Sequence, residues 1–405
     1  MFRALAQSEV GKISASQTAE IAKLRRSRDY KSVQIVHIDP DAFLGTVVNV
    51  KIGQREIQFK QDFLDTSNLP YETWSGSNPE KGETAIFTFA GAELVGTLQV
   101  VEGTFELNFL GDGLGALLEV DTSNFNRLID RIAPPEEAPS APMSQTSFPE
   151  ALGTTAGSTE VRILVAYSAR AAAILGSSVD ARIREAIGTI NDANRTGSVA
   201  FTAVLAGTRQ VDYNGPLDAL STLSAFRSMS DIKRAHDDTK ADLMVMLEDF
   251  PDSEEAGESA GINVTAQNAY AVVSTKLMTS YLTFAHEVGH LMGADHPVGD
   301  TTQNVFRYGH GTWWWTQPDR NLFSVYCGHT IMSYSVMQSK GGSHPPFDCY
   351  ADPRLKIWSN PDTHLAIPGT STVVSWGNAQ SSNNAAVLNT TAPIVAKFRN
   401  VKLAS

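Results

Sequence analysis

The most constraining feature of this sequence is the run His286-Glu287-Val288-Gly289-His290-Leu291-Met292-Gly293-Ala294-Asp295-His296. Its first two histidines are four positions apart, so on a helix they project from one face, one turn apart. Two imidazoles in that arrangement can bind one tetrahedral Zn²⁺. Gly293 can adopt a positive φ, which would end the helix and let the chain deliver His296 as a third ligand. Three neutral imidazoles leave a fourth position open, which is typical of a catalytic metal site.

The residue after the first histidine has its own chemical role in this pattern. Glu287 would lie beside the metal, where a carboxylate can take a proton from a zinc-bound water and pass it to a leaving amine. Two alternatives use fewer of these residues. The histidines could lie on the surface of an ordinary amphipathic helix, which would leave Gly293 and His296 unexplained. Asp295 could replace His296 as the third ligand, although it is one residue out of register.

A second motif, Ile331-Met332-Ser333-Tyr334, follows the histidine run. Together the two motifs resemble those of the metzincin zinc endopeptidases. The resemblance implies that Met332 forms an apolar floor beneath the histidines without binding the metal. It also implies that Tyr334 is a movable extra ligand that stabilises the transition-state oxyanion. An ordinary core methionine and a packed tyrosine are the alternatives.

Over about residues 160–400, less specific segments of the sequence resemble the bacterial reprolysin-like branch, including the peptidyl-Asp metalloendopeptidases. They lie in Thr283-Phe284-Ala285, Trp358-Ser359-Asn360-Pro361 and Ala396-Lys397-Phe398-Arg399. Pro297 departs from the Asp that many reprolysins have after the third histidine. The resemblance implies hydrolysis of peptide bonds in a protein or peptide substrate. A preference for an acidic side chain would follow, with Arg307, Arg320 or Arg354 as its counter-charge.

Composition divides the chain into four segments. Residues 1–30 are expected to contain a helix, and residues 31–132 carry short alternating apolar runs broken by Gly, Asn and Pro, which predict a β-rich domain. Residues 133–160 are rich in Pro and Ser and predict an extended linker. Residues 161–405 alternate strand-like and helix-like patterns, which predict an α/β (α+β) domain.

The expected fold of this last segment is the metzincin catalytic domain, with a mixed twisted sheet. The run at 161–167 is apolar apart from Arg162 and predicts a strand that is covered on both faces. The zinc-binding helix is predicted over 276–292, and the Met-turn over 331–334. A substrate is expected to bind in extended form along an edge strand near 269–274.

The order of the segments suggests a zymogen. A β-rich domain ahead of a proline-rich linker fits an inhibitory prodomain that is released by cleavage between about 133 and 160. This domain contains no cysteine, so a cysteine cannot be its ligand to the zinc. The alternative is a permanent accessory or substrate-binding domain.

Several further residues are open to two interpretations. Cys327 and Cys349 are either one disulfide, which would contribute about 3 kcal/mol on the chain-entropy model, or two free thiols. The run Trp313-Trp314-Trp315 either lines the substrate cleft or covers a small core. Four histidines without ligand spacing are expected to be surface or hydrogen-bonded residues: His310, His329, His344 and His364. A Ca²⁺ site is possible but unsupported, because Asp300, Asp319 and Asp348 match no EF-hand spacing.

Charge and hydropathy exclude other classes of protein. A net charge of −12 argues against binding to nucleic acid phosphates, and no apolar run reaches the ~20 residues of a membrane span. We expect a secreted monomer, although the sequence begins without the apolar stretch of a secretory signal. A toxin or effector protease with one narrow target shares the same chemistry. A non-enzymatic binding protein on a metzincin fold is disfavoured, since Glu287 and all three histidines are intact.

Overall fold

The computed structural model describes residues 2–4, 13–43, 45–66, 69–123, 129–132, 159–251, 255–300, 305–317, 325–335, 345, 349 and 352–403. These residues form a nine-stranded sheet, a six-stranded sheet and two two-stranded sheets. No helix among them is long and apolar enough to cross a membrane.

The N-terminal domain is a nine-stranded antiparallel sheet. Its strands are β1 (Phe2–Ala4), β2 (Tyr30–Ile38), β3 (Val47–Ile52), β4 (Arg55–Asp65), β5 (Glu72–Asn78), β6 (Glu83–Ala90), β7 (Glu93–Val100), β8 (Gly103–Gly111) and β9 (Leu114–Val120). Strands β3 to β9 are neighbours in chain order, and β2 and β1 extend the sheet beyond β9. Its core is apolar, with Phe59, Trp74 and Phe87 fully buried. Helix α1 (Ala15–Arg26) begins at a Ser14 capping box, so the expected N-terminal helix and β-rich domain are both present.

The second domain is built on a mixed six-stranded sheet. Its elements up to the predicted zinc helix are β10 (Ile129–Ile132), β11 (Thr159–Ser168), α2 (Ala169–Leu175), α3 (Val179–Thr196), β12 (Phe201–Val211), α4 (Ala219–Ser228), α5 (Ser230–Thr239), β13 (Leu243–Glu248), β14 (Glu255–Ser259), β15 (Tyr270–Ser274) and α6 (Thr283–Leu291). The strand order is β10-β14-β15-β13-β11-β12. Strands β11, β12, β13 and β15 are parallel, whereas β14 is antiparallel to β15. Every residue of β13 is buried, as its apolar sequence predicts.

Two details of the sequence interpretation were wrong. The helix predicted over 276–292 begins at Thr283, because Leu282 has φ +59° and a left-handed residue cannot continue an α-helix. The predicted substrate strand, β15, lies inside the sheet between β14 and β13, so β14 is the strand at the domain's own edge. Periodicity missed β14 because its sequence, Glu-Ala-Gly-Glu-Ser, is short and polar although all of it is buried.

The boundary near residue 132 also differs from the prediction. Strand β10 precedes the linker in sequence, yet it pairs in parallel with β14 and belongs to the second sheet. The expected linker lies mostly outside the described residues, and β11 already begins at Thr159.

Helix α3 joins the two domains. It packs on the second sheet through β12 and on the N-terminal sheet through β5, β6 and β7. Thr97 Oγ1 donates to Glu185 Oε1 at 2.6 Å, and Arg182 Nη1 contacts the other Glu185 oxygen at 2.6 Å. Gly188 allows the close approach, because a Cβ there would lie 2.6 Å from Thr73 Cγ2. The domains therefore share a buried, polar interface.

The described residues after Gly293 contain little regular structure. It contains β16 (Trp313–Thr316), β17 (Tyr326–His329), β18 (Asn360–Ala366), β19 (Val373–Trp376) and α7 (Asn384–Val395). Strands β16 and β17 form one hairpin, and β18 and β19 form another. Cys327 and Cys349 form a disulfide. Trp313 and Trp315 pack against this bridge, whereas Trp314 is exposed, so the tryptophan run covers a small core.

Candidate metal centre and active site

Helix α6 and the turn after it bring three histidines together. His286 and His290 are buried on α6, and Gly293, with φ +106°, turns the chain so that His296 comes back beside them. The Nε2 atoms of His286 and His290 each lie 3.0 Å from His296 Nε2. Among the described residues, this trio is the one group of three or more His, Cys, Asp or Glu side chains that could hold a metal ion.

The other ring nitrogens show how the trio fits a metal. His286 Nδ1 lies 2.7 Å from Ile331 O, and His290 Nδ1 lies 2.9 Å from Ala294 O. Carbonyls only accept, so both Nδ1 atoms carry protons and both Nε2 atoms present lone pairs. Burial lowers the pKa of His286, as do the charges of Arg354 and His290, and burial lowers that of His296. Converging neutral imidazole lone pairs suit a divalent cation such as Zn²⁺.

Glu287 lies between the metal centre and the edge of the sheet. Its side chain is buried and packs against Gly257 of β14. A Cβ at Gly257 would lie 2.7 Å from Glu287 Oε1 and 2.9 Å from Val272 O. The carboxylate therefore occupies space that any other residue at 257 would fill. Sequence reasoning missed Gly257, because this contact joins two elements that are 30 residues apart.

Met332 lies directly against the zinc helix. It is fully buried, and a Cβ at Gly289 would come within 2.6 Å of its Sδ atom. On the opposite side, a Cβ at Gly311 would meet the Met332 backbone at 2.6 Å. Gly289 thus lets Met332 approach α6 closely, and Gly311 lets the chain after His296 approach the Met332 backbone.

Tyr334 lies beside the third histidine. Its hydroxyl is 3.3 Å from His296 Nδ1, and the two ring centroids are 4.6 Å apart. With His296 Nε2 facing the other two histidines, Nδ1 is the atom that can donate to the tyrosine oxygen. Each of the three imidazoles therefore has an oxygen partner for its outer nitrogen.

Asp295 orients the third histidine instead of joining the trio. Its Oδ1 accepts from the His296 amide at 2.7 Å, and its own amide donates to Gly309 O at 2.8 Å. His310 Nδ1 lies 2.8 Å from His296 O and is also buried. Neither Asp295 nor His310 belongs to the trio. The third member of the trio is His296, so the geometry does not support Asp295 as the alternative third ligand.

Arg354 is a buried cation close to this centre. It is 2% exposed, lies over the Tyr281 ring at 3.9 Å from the centroid, and donates from Nη1 to Tyr281 O at 3.2 Å. Burial and the charge of Arg354 lower the pKa of His329 to about 3. Arg354 is one of the three arginines that the sequence analysis named as a possible counter-charge. Of the other two, Arg307 is exposed.

Other predicted residues are placed as follows. His329 is buried, with Nδ1 2.9 Å from Ser333 O, and His364 is exposed. Arg320, His344, Asp319 and Asp348 lie outside the described residues. Asp300 belongs to no cluster of three or more possible metal ligands in the described part of the chain.

A helix-borne histidine pair, a third histidine after a turn and an adjacent buried glutamate are typical of a metallopeptidase site. Comparison with known families points the same way. The family model Reprolysin_5, described as metallo-peptidase family M12, matches residues 157–343. Residues 157–343 are thus similar to the metallopeptidases of family M12, and the chain is a zinc metallopeptidase, as its sequence motifs predicted.

Curated relatives extend the similarity over most of the chain. A peptidyl-Asp metalloendopeptidase of Stenotrophomonas maltophilia (strain K279a) is 26% identical over 96% of this chain and 92% of its own length. One from strain R551-3 is 29% identical over 80% and 73%. One from Xanthomonas campestris pv. campestris is 26% identical over 95% and 91%. Among solved structures, metalloproteinase-II from Bacteroides fragilis overlaps 69% of this chain and 89% of its own, with 15% identity and a TM-score of 0.41.

Proposed function

We propose that this protein is a zinc-dependent endopeptidase that is made as a zymogen. The observation that carries the proposal is the convergence of three histidine Nε2 atoms beside a buried glutamate at the edge of the sheet. His286, His290 and His296 would hold the ion. A bound Zn²⁺ would supply Lewis acidity at this point.

The residues around the ion have separate tasks. Glu287 would take the proton of the attacking water as general base and return it to the leaving nitrogen as general acid. Tyr334, whose hydroxyl already lies beside His296, would donate a hydrogen bond to the oxyanion of the transition state. Met332 would remain an apolar support under α6.

Strand β14 is the proposed platform for the substrate. It is the last strand of the metallopeptidase domain's own sheet, and its Gly257 contacts Glu287. An extended peptide that paired with this strand would have its backbone next to the general base. The names of the relatives favour a substrate with an aspartate at the cleaved bond.

The zymogen proposal is supported by what covers that platform. Strand β10 pairs with β14 over Ile129–Ile132, with Asp130 opposite Gly257. The same edge cannot pair with a substrate at the same time. Cleavage after β10, in the segment expected near 133–160, would leave this strand attached to the N-terminal domain. Removal of that domain would then free β14. A secreted monomer is the form that we propose for the processed enzyme.

The central test is Glu287→Gln, which keeps the size of the side chain and removes the base. Cleavage of casein should fall by about 10²- to 10⁴-fold, while the zinc content stays at that of the native chain. Glu56→Gln, an exposed change in β4, is the matched control and should leave both unchanged. Full zinc-dependent cleavage by the Glu287 variant would refute the role of Glu287. Absence of cleavage by native chain, even after removal of the N-terminal domain, would refute the endopeptidase.

Latency can be tested separately. Replacing residues 129–132 by Gly-Ser-Gly-Ser should raise the activity of the uncut chain toward that of the processed enzyme, because the β10–β14 pairing is lost. The control Ile129→Val with Ile132→Val keeps a strand-forming sequence and should stay latent. If the uncut native chain were already as active as the processed enzyme, the N-terminal domain would be an accessory domain.

A further inference from the structure

The segment that carries Arg354 lies one layer away from the metal centre. Leu355 N donates to His329 O at 2.7 Å, and Ile331 N donates to Ile357 O at 3.1 Å. Ile331 in turn offers its carbonyl to His286 Nδ1. Residues 354–357 therefore form the layer behind the Met-turn.

The Arg354 side chain is held in one place. Its guanidinium stacks on the Tyr281 ring and donates to the Tyr281 carbonyl. Tyr281 lies two residues before the start of α6. Those contacts fix the charge between the start of the zinc helix and the chain that follows the Met-turn. A fixed guanidinium loses little conformational entropy when it binds a carboxylate.

A cavity of about 550 Å³ opens beside this guanidinium. On the metallopeptidase side, its wall includes Ser280, Tyr281, His329, Ser335, Asp352 and Arg354. Asp352 is the acidic group on this wall, and it accepts from Ser335 Oγ at 2.6 Å. Such a cavity is large enough for a side chain of a peptide that lies across the site.

The N-terminal domain forms the opposite wall of the cavity. Gln99 Nε2 donates to Arg354 O at 2.6 Å, and Gly369 N donates to Lys81 O at 3.0 Å. Glu83, Glu102 and Glu119 contribute to this wall as well. Departure of the N-terminal domain would therefore open the cavity and remove these carboxylates from it.

We propose that Arg354 is the specificity-determining residue that binds the acidic side chain of a substrate at this cavity. The inference rests on the proposed endopeptidase function and assigns the acidic preference to one residue. Arg307 is exposed, and of the arginines singled out from sequence Arg354 is the one that the described structure places beside the metal centre. A planar guanidinium can bind a carboxylate through two parallel hydrogen bonds.

The test compares peptides that carry Asp, Asn or Ala at one position flanking the scissile bond, on either side in turn. The enzyme is produced as the full-length chain and assayed after processing. Native enzyme should cleave the Asp peptide with a kcat/KM about ten- to a hundredfold above that of the Asn peptide, the range of one charge-assisted hydrogen bond. Arg354→Met should bring this ratio to about one, whatever change in kcat/KM it causes for the Ala peptide. Arg307→Met is the matched control and should keep the native ratio.

Each possible result either supports or overturns the proposal. A native Asp-to-Asn ratio that persists in Arg354→Met overturns it. A native ratio near one, with casein still cleaved in a zinc-dependent manner, overturns it and leaves the proposed function standing. No zinc-dependent cleavage of any substrate overturns both. If Arg354→Met does not fold, Arg354→Lys decides: it keeps the charge but loses the two-pronged geometry, so a severalfold lower ratio is expected, and an unchanged ratio contradicts the proposal.

Discussion

The metallopeptidase domain ahead of Gly293 and the part after it hold their shapes by different means. Ahead of Gly293, parallel strands and helices form most of a continuous apolar core that includes the apolar residues of β13 and α6. After Gly293, the described residues form two short hairpins and one helix, and loops there are held by a disulfide and by bonds such as His329 N to Pro353 O. Each part supplies histidines to the same site. The helix that carries the first two histidines therefore belongs to the regular part, whereas loops form the expected surroundings of the substrate.

The largest expected effect concerns the place where the regular part touches the general base. Gly257→Ala would put a methyl group 2.7 Å from Glu287 Oε1, so the carboxylate has to move. We expect kcat/KM to fall by about a hundredfold, as for other displacements of catalytic groups by ~1 Å.

The control for this change is Gly45→Ala in the N-terminal domain, where the nearest atom to a new Cβ is 3.9 Å away. Activity should be unchanged there. Native activity in Gly257→Ala would show that Glu287 is not held by β14.

The next effect tests whether the loop-built part depends on its covalent link. Cys327→Ser with Cys349→Ser should lower the free energy of unfolding of this region by about 3 kcal/mol on the chain-entropy model. Hydrogen exchange should show faster opening around β16 and β17, because Trp313 and Trp315 pack on the bridge. Protection of β13 should stay native. Equal loss of protection in β13 and in β16 and β17 would contradict the view that the parts before and after Gly293 are stabilised by different means.

The smallest effect concerns α6 itself. Gly to Ala inside a helix normally stabilises it by up to about 1 kcal/mol. At Gly289, however, the new Cβ would lie 2.6 Å from Met332 Sδ and 3.0 Å from Trp358 Cζ3, and overpacking costs about 1–3 kcal/mol. Gly289→Ala should therefore lower the melting temperature slightly. A higher melting temperature would mean that Met332 leaves room for a Cβ at position 289.

The sequence predicted the regular part well, for physical reasons. Strand β13 is buried on both faces and is apolar up to Leu247, and most of β11 follows the same pattern. The histidine spacing reports directly on a helix. It failed at Leu282, whose left-handed conformation is set by packing, and at β14, whose glutamates are buried by tertiary contacts that no local pattern records. The pairing of β10 with β14 and the position of Arg354 join distant segments, so a single sequence could name the arginine but not place it.

The most direct test of the site is the zinc content of the purified full-length chain together with its zinc X-ray absorption spectrum. The account predicts one zinc per chain, bound by three imidazole nitrogens at about 2.0–2.1 Å. In His296→Ala, whose ligand comes from the chain after Gly293, one imidazole should be lost from the spectrum. Zinc that is absent from the native chain, or a native spectrum unchanged by His296→Ala, would contradict a centre that the two parts build together.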